Sequence, residues 1–356
     1  MLFKRNYYPL NIIEISRKKL INNYHKLASM YRYIEVVPVL KSNAYGHGII
    51  EVASILDQLN PIFCCVDSLF EAYQLLKARI KMPILIMGYV NPENLSVKKL
   101  PFSYAVFDLQ QFRKIFKYQP QAKFHLFVDT GMNREGIRVD ELEDFLSKLT
   151  DKEKNSFDGM MSHMAKANVY DSETKSQVAN FKKTLILCKK YAFNPKLIHL
   201  GNSESLLNKQ LKLSTFTNVV RTGLILYDSI LQLKTHIIQI KKIKKGEKVG
   251  YNFTYQAKKD GKVAVLPIGY NEGVDRRLSN AGVVKIRNNY CPIIGKVSMN
   301  LTIIDITSIK GVKVGDEIII FGNNGKNSIA NSAKTINTIP YELLVHLDRS
   351  IKRKII

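Results

Sequence analysis

The sequence predicts an α/β fold: a (β/α)8 barrel over residues 1–235 and a second, mostly β carboxy-terminal domain over residues 236–356. Three observations carry this expectation. Eight short apolar runs alternate with amphipathic segments through the first part of the chain, with the period and length of a barrel. Beyond about residue 235 the pattern changes to short strands joined by Gly- and Asn-containing turns. Polar clusters follow several of the apolar runs, where a barrel gathers its functional residues on one rim.

Ser16 precedes Leu20, Ile21, Tyr24 and Leu27 at helical spacing, so it caps a helix over 16–31. The run from Ile34 to Leu40 is short, β-branched and nearly free of polar residues, as expected of a buried strand. Further strands are expected at 62–66, 83–88, 104–107, 124–128, 157–162, 197–200 and 219–226. Amphipathic segments at 69–79, 109–117, 139–149 and 173–191 supply helices between them. A doubly wound open sheet is the alternative, but no G-x-G-x-x-G follows the first strand. In the second domain, strands are expected at 236–243, 248–251, 262–270, 283–287, 293–297, 301–306 and 317–321, with helices at 328–336 and 340–347.

A chain of 356 residues suffices for one large domain or two ordinary ones, and 46% hydrophobic residues fit a soluble globular protein. The net charge of +24 comes from 54 basic and 30 acidic residues. The lysines fall in small scattered groups, such as Lys98-Lys99 and Lys182-Lys183, without interleaved aromatics, which argues against a nucleic-acid partner. Cys64, Cys65, Cys188 and Cys291 show no C-x-x-C spacing, so reduced thiols of a cytosolic enzyme fit better than disulfides or a metal site. The stretch from Met1 to Tyr8 lacks the apolar core of a signal peptide, and no run reaches the roughly 18 apolar residues of a membrane span.

The rim residues each admit two readings. Lys41, at the exit of the first strand, is either a solvated strand end or an amine held to form a Schiff base. Asp129-Thr130-Gly131 is an ordinary turn or part of a site, and Arg134 a surface cation or an anion ligand. His163 after the sixth run is a satisfied core histidine or a functional one. Asn202 and Ser203 cap the helix after the seventh run, which does not preclude holding phosphate. Arg221-Thr222-Gly223 interrupts the eighth run. Five polar clusters on one face, two of them at the positions where barrels hold phosphate, favour the functional readings.

The stretch Val37-Pro38-Val39-Leu40-Lys41-Ser42-Asn43-Ala44-Tyr45-Gly46-His47-Gly48 resembles the cofactor-attachment signature of alanine racemases, fold type III enzymes that use pyridoxal 5′-phosphate. The resemblance recurs in order along nearly the whole chain. It includes Asp129 to Arg134, His199 to Ser203, Val220 to Gly223, Leu266 to Tyr270 and Val297 to Asn300. It implies a barrel domain followed by a β domain, cytoplasmic racemisation of alanine for peptidoglycan, and a homodimer with shared active sites.

On this resemblance Lys41 would carry the cofactor and act as one base, its amine held below its usual pKa by desolvation and nearby cations. Tyr270 of the partner subunit would be the opposite base. His163 and Arg221 would stand near it, and Arg221 would face the pyridine nitrogen as a permanently charged donor. Tyr45, Asn202, Ser203, Gly223, Leu224 and Tyr341 match the cofactor and phosphate contacts. Arg134 and the backbone N–H of Met299 would hold the substrate carboxylate. No metal is implied.

The sequence departs from the family at three places. Phe127 stands where many members carry a modified lysine that braces the arginine, so Arg134 is expected to be braced otherwise, by a bound anion for example. Asn300 replaces an aspartate, and Asn271-Glu272-Gly273 replaces Ala-Asp-Gly. The alternatives are a racemase of another small amino acid such as serine, and a degenerate pyridoxal-phosphate-binding protein. A decarboxylase of the same fold is a further one, but those relatives usually use a late cysteine and none follows Cys291.

Overall fold

The structure, a computed structural model, describes residues 8–356. The leader expectation on the amino-terminal stretch rests, up to Tyr7, on residues outside that range. Two compact units make up the chain: residues 21–44 with 52–226, and residues 8–20 with 45–51 and 227–356.

The first unit is the barrel. Its strands are Glu35–Pro38, Cys64–Val66, Ile84–Ile86, Phe102–Val106, Phe124–Asp129, Phe157–Met161, Leu197–His199 and Val219–Thr222. The second to seventh pair in parallel, each with its neighbour in sequence. The eighth pairs with the first in the register Arg221↔Val37, which closes the circle. The remaining seams are held by Leu40 N–H to Cys65 O at 2.7 Å and by Asn218 N–H to Ile198 O at 3.0 Å. Parallel strands covered on both faces must be apolar throughout, and Cys64–Val66 and Ile84–Ile86 are buried at every position. Phe112, from a surrounding helix, packs its ring 5.0 Å from Phe124 and 4.8 Å from Phe157.

Three of the barrel helices open at side-chain caps. Ser68, Asp108 and Asp171 accept the backbone N–H three residues on and open the helices Leu69–Lys77, Leu109–Tyr118 and Ser172–Lys190. Lys19 N–H lies 3.4 Å from Ser16 Oγ at the start of Arg17–Ala28. The eighth run ends earlier than expected: the strand stops at Thr222, and a short 3-10 turn occupies Leu224–Tyr227.

The second unit is mostly β. A six-stranded sheet orders Asn289–Pro292, Val283–Ile286, Glu317–Phe321, Leu231–His236, Ile12–Ile15 and Lys352–Ile355. A three-stranded sheet joins Gln239–Ile243, Gly261–Leu266 and Thr302–Asp305. The strand expected at 236–243 begins only at Gln239, and His236 instead ends Leu231–His236 in the other sheet. The chain changes sheet at Ile237 and Ile238, whose N–H groups bond Asp316 O and Val265 O. The strand expected at 293–297 reduces to one bridge, Ile293 with Ile304, because Gly295 turns the chain at φ +68°. No helix among the described residues is long and apolar enough to cross a membrane.

Candidate active site

The barrel rim presents Lys41 directly after the fully buried Leu40. Its Nζ lies 3.7 Å from Asp67 Oδ1, so the strand-end amine has a carboxylate neighbour. The backbone then enters the left-handed region at four successive residues, Ser42, Asn43, Ala44 and Tyr45, with φ of 55°, 57°, 50° and 54°. Each such L-residue costs roughly 1–2 kcal/mol, so the turn persists only if its surroundings impose it. Glu71, buried on the helix after the second strand, does so. Its carboxylate accepts Asn43 N–H at 3.2 Å and Asp67 N–H at 3.0 Å. Sequence reasoning passed over Glu71; an acid in the first turn of a helix reads simply as a favourable partner of the helix dipole.

Arg221 sits on the eighth strand with its guanidinium buried. Nη1 donates to His199 O at 2.6 Å and meets His199 Nδ1 at 2.8 Å, while Nη2 donates to Ser162 O at 2.6 Å. His163 Nδ1 lies 3.4 Å from Nη2. Because a guanidinium only donates, His199 Nδ1 accepts, leaving its Nε2–H for His125 Nδ1 at 2.7 Å. Burial first, then Arg221, drives both His125 and His199 well below the ordinary histidine pKa. This buried pair was absent from the expected site set. Its signals were a histidine interrupting each of two apolar strands and, for His199, its place at the head of the stretch His199 to Ser203.

His163 is pushed down to about 3, by burial first and then by Arg221, Arg134 and Lys41. His163 is therefore a neutral acceptor and donor at ordinary pH. His163 stands 3.4 Å from Arg221 and lines a small cavity together with Arg134.

Arg134 is paired with its neighbour Glu135. Its Nη2 donates to Glu135 Oε1 at 2.8 Å and its Nε to the other carboxylate oxygen of Glu135. Phe127 is buried beside Phe107, ring centroids 5.7 Å apart, and supplies no charge. Asp129 Oδ1 accepts the N–H groups of Gly131, Met132 and Asn133, which shapes the loop carrying Arg134.

On the far side of the rim, Asn202 Oδ1 accepts Ser205 N–H at 3.1 Å and Ser205 Oγ accepts Asn202 N–H at 2.9 Å, a capping box for the helix Ser203–Leu207. The Asn202 side chain is thus occupied as a cap. Ser203 Oγ accepts Gly223 N–H at 2.9 Å, and Leu224 follows directly. These hydroxyl and amide donors form a small polar cradle.

The second unit carries the remaining candidates. Tyr45 packs its ring 5.6 Å from Tyr341 and 5.6 Å from Tyr227. Tyr270 is 43% exposed. Its N–H donates to Ser298 O at 3.0 Å, and Asn271 N–H donates to Met299 O at 2.9 Å. Gly269 is required beside it: a Cβ there would lie 2.2 Å from Ser298 O and 2.5 Å from Met299 O. The Gly-Tyr motif is therefore the close approach of two backbones that presents Tyr270 and Met299 together.

A closed parallel barrel with an amine at one strand end, two arginines and a neutral histidine, continued by a β unit, defines a two-domain (β/α)8 enzyme. The alanine racemase N-terminal domain family matches residues 15–229, and the alanine racemase C-terminal domain family matches residues 230–355. An alanine racemase of Thermodesulfovibrio yellowstonii is 33% identical over 96% of this chain and 97% of its own length. Alanine racemase 2 of Caldanaerobacter subterraneus subsp. tengcongensis is 32% identical over 96% and 93%. Among solved structures, alanine racemase of Clostridium difficile 630 superposes with a TM-score of 0.88 at 26% identity, covering 99% of this chain and 97% of that one. That of Bacillus anthracis with bound L-Ala-P gives 0.88 at 28% identity, covering 99% and 96%. The chain belongs to the alanine racemase family, isomerases that interconvert L- and D-alanine.

Proposed function

We propose that this racemisation proceeds by two bases on opposite faces of the substrate α-carbon: Lys41 on one face and Tyr270 from a second copy of the chain on the other. One base removes the α-proton and the other returns a proton from the opposite side, which inverts configuration. A single base would return it to the face it left.

The donor set fits pyridoxal 5′-phosphate. Lys41 offers an amine for its aldehyde. The Ser203 O–H, whose oxygen accepts Gly223 N–H, and the Leu224 amide offer donors for a phosphate, with Gly223, Tyr45 and Tyr341 as further contacts. When bound, the cofactor supplies a conjugated ring over which the negative charge left by the departing α-proton can spread. Arg221 would face the ring nitrogen. A guanidinium stays charged and only donates, so it disfavours a proton on that nitrogen and restrains side reactions. Arg134 would grip the substrate carboxylate, helped by the Met299 N–H of the second copy. His163, neutral beside Arg221, would orient rather than add charge. The substrate is a small amino acid, the assembly a homodimer that shares its sites, and the setting cytoplasmic supply of D-alanine for peptidoglycan.

The pairing of the first and eighth strands, which sets Lys41 and Arg221 on neighbouring strands with His163 3.4 Å from Arg221, supports this reading most directly. The test is exchange of the α-hydrogen of L- and D-alanine, serine and other small amino acids with solvent deuterium. It is run beside the visible absorbance of lysine-bound cofactor. Alanine should exchange fastest, and Lys41→Ala should lose both absorbance and exchange. Bound cofactor with no exchange on any small amino acid would overturn the proposal.

A further inference from the structure

We infer that Glu272 is a positioning residue that locks the Tyr270 turn to the Met299 loop, and that Asn300 supplies the amide that completes this lock. The inference rests on the assignment of Tyr270 as a base and names what holds it.

Both carboxylate oxygens of Glu272 are paired. One oxygen of Glu272, Oε2, accepts Gly269 N–H at 2.8 Å, directly before Tyr270. The other, Oε1, accepts Asn300 Nδ2–H at 2.7 Å and Asn271 Nδ2–H at 3.0 Å. One carboxylate thus reaches back to the residue before Tyr270 and across to the residue after Met299. The two segments are also joined through the backbone, Tyr270 N–H to Ser298 O and Asn271 N–H to Met299 O. Glu272 is half-buried, so its charge needs these donors more than a solvated carboxylate would.

Asn271, Glu272 and Asn300 are therefore one hydrogen-bonded unit. An aspartate at position 300 would set a second carboxylate about one hydrogen-bond length from Glu272. Two such charges cannot both ionise there without cost. The amide of Asn300 replaces repulsion with donation, and Asn271 adds a second donor to the same oxygen. The constellation Asn271, Glu272 and Asn300 is mutually consistent, and changing one member alone breaks it.

The experiment is a polarity-swap cycle on the holoenzyme: Asn300→Asp, Glu272→Gln and the double variant. Asn300→Asp opposes two carboxylates. Glu272→Gln leaves one acceptor oxygen for donors on two sides, so its amide N–H must face either Gly269 N–H or the amides of Asn271 and Asn300. The double variant restores one donor and one acceptor. Each single change should lower kcat for alanine by about tenfold, the size expected for one lost hydrogen bond to a charged group, with KM little moved. The α-deuterium isotope effect should rise in only one reaction direction, because only one of the two bases is loosened. Amide hydrogen exchange of the segment 267–274 should quicken in both single variants. The double variant should recover slow exchange and most of the rate. Single variants with unchanged exchange and an unchanged isotope effect, or a double variant no better than the worse single one, would overturn the inference. Tyr270→Phe separates the two claims: if it racemises alanine normally, the two-base reading itself fails, whatever the cycle shows.

Discussion

Acidification should destabilise the barrel unit through its buried histidines, and the size of the effect follows from their surroundings. His163 has a pKa of about 3 in the folded chain against an ordinary value of 6.5. At pH 5 the unfolded chain holds a proton on that imidazole and the folded chain does not. The unfolded state then binds more protons, so stability falls as pH falls, through a window from about 6.5 down to about 3. At pH 5 the gap is about 1.5 pH units, or about 2 kcal/mol for this one group. His125 and His199 are lowered by the same causes, burial and Arg221, and act with the same sign. Against a typical stability of about 5–15 kcal/mol, the sum is a large fraction. The assay is the urea midpoint at pH 7.5 and pH 5.0 at one fixed protein concentration, since dimerisation would otherwise shift it. His125→Gln keeps an acceptor for the His199 N–H and removes one titrating ring, so its midpoint should depend less steeply on pH. A wild-type midpoint that is the same at both pH values, or a His125→Gln variant with the full wild-type slope, would refute the reasoning.

Two further outcomes follow from single contacts. Glu135→Gln should raise the KM for alanine by about 2- to 5-fold with little change in kcat, the equivalent of less than about 1 kcal/mol for a half-exposed pair whose side chains are 51% and 34% accessible; initial rates measure it, and an unchanged KM would show that Arg134 needs no brace. Gly46→Ala should destabilise the protein by about 2–4 kcal/mol, because its φ is +82° and the new Cβ would fall 1.9 Å from Leu344 O; thermal melting checks this, and a melting curve like that of the wild type would contradict it.

The barrel was legible because each of its strands is covered on both faces. That requirement writes itself as an apolar run, and amphipathic segments between the runs mark the helices. The strands Ile12–Ile15 and Lys352–Ile355 were not legible. They are four residues each, and the second is three cations and one isoleucine. Their pairing joins opposite ends of the chain, Ile12 with Lys352 and Ile15 with Ile355, and no local pattern records it.

The candidate site divides in the same way. The sequence by itself determined which residue types stand at the strand ends: the amine of Lys41, the guanidinium groups of Arg134 and Arg221, the imidazole of His163 and the Gly269-Tyr270 pair. Residue type follows from chemistry, and chemistry is carried one position at a time. Only the tertiary structure decided how these groups are held. Glu71 ties down the left-handed turn after Lys41, Glu135 pairs with Arg134, and His199 and His125 form a hydrogen-bonded line behind Arg221. Glu272 meets Asn300 across 28 positions. The physical reason is that a buried or half-buried polar group must find its partner wherever the fold brings one within about 3 Å, and that distance is a property of the fold, not of the spacing along the chain.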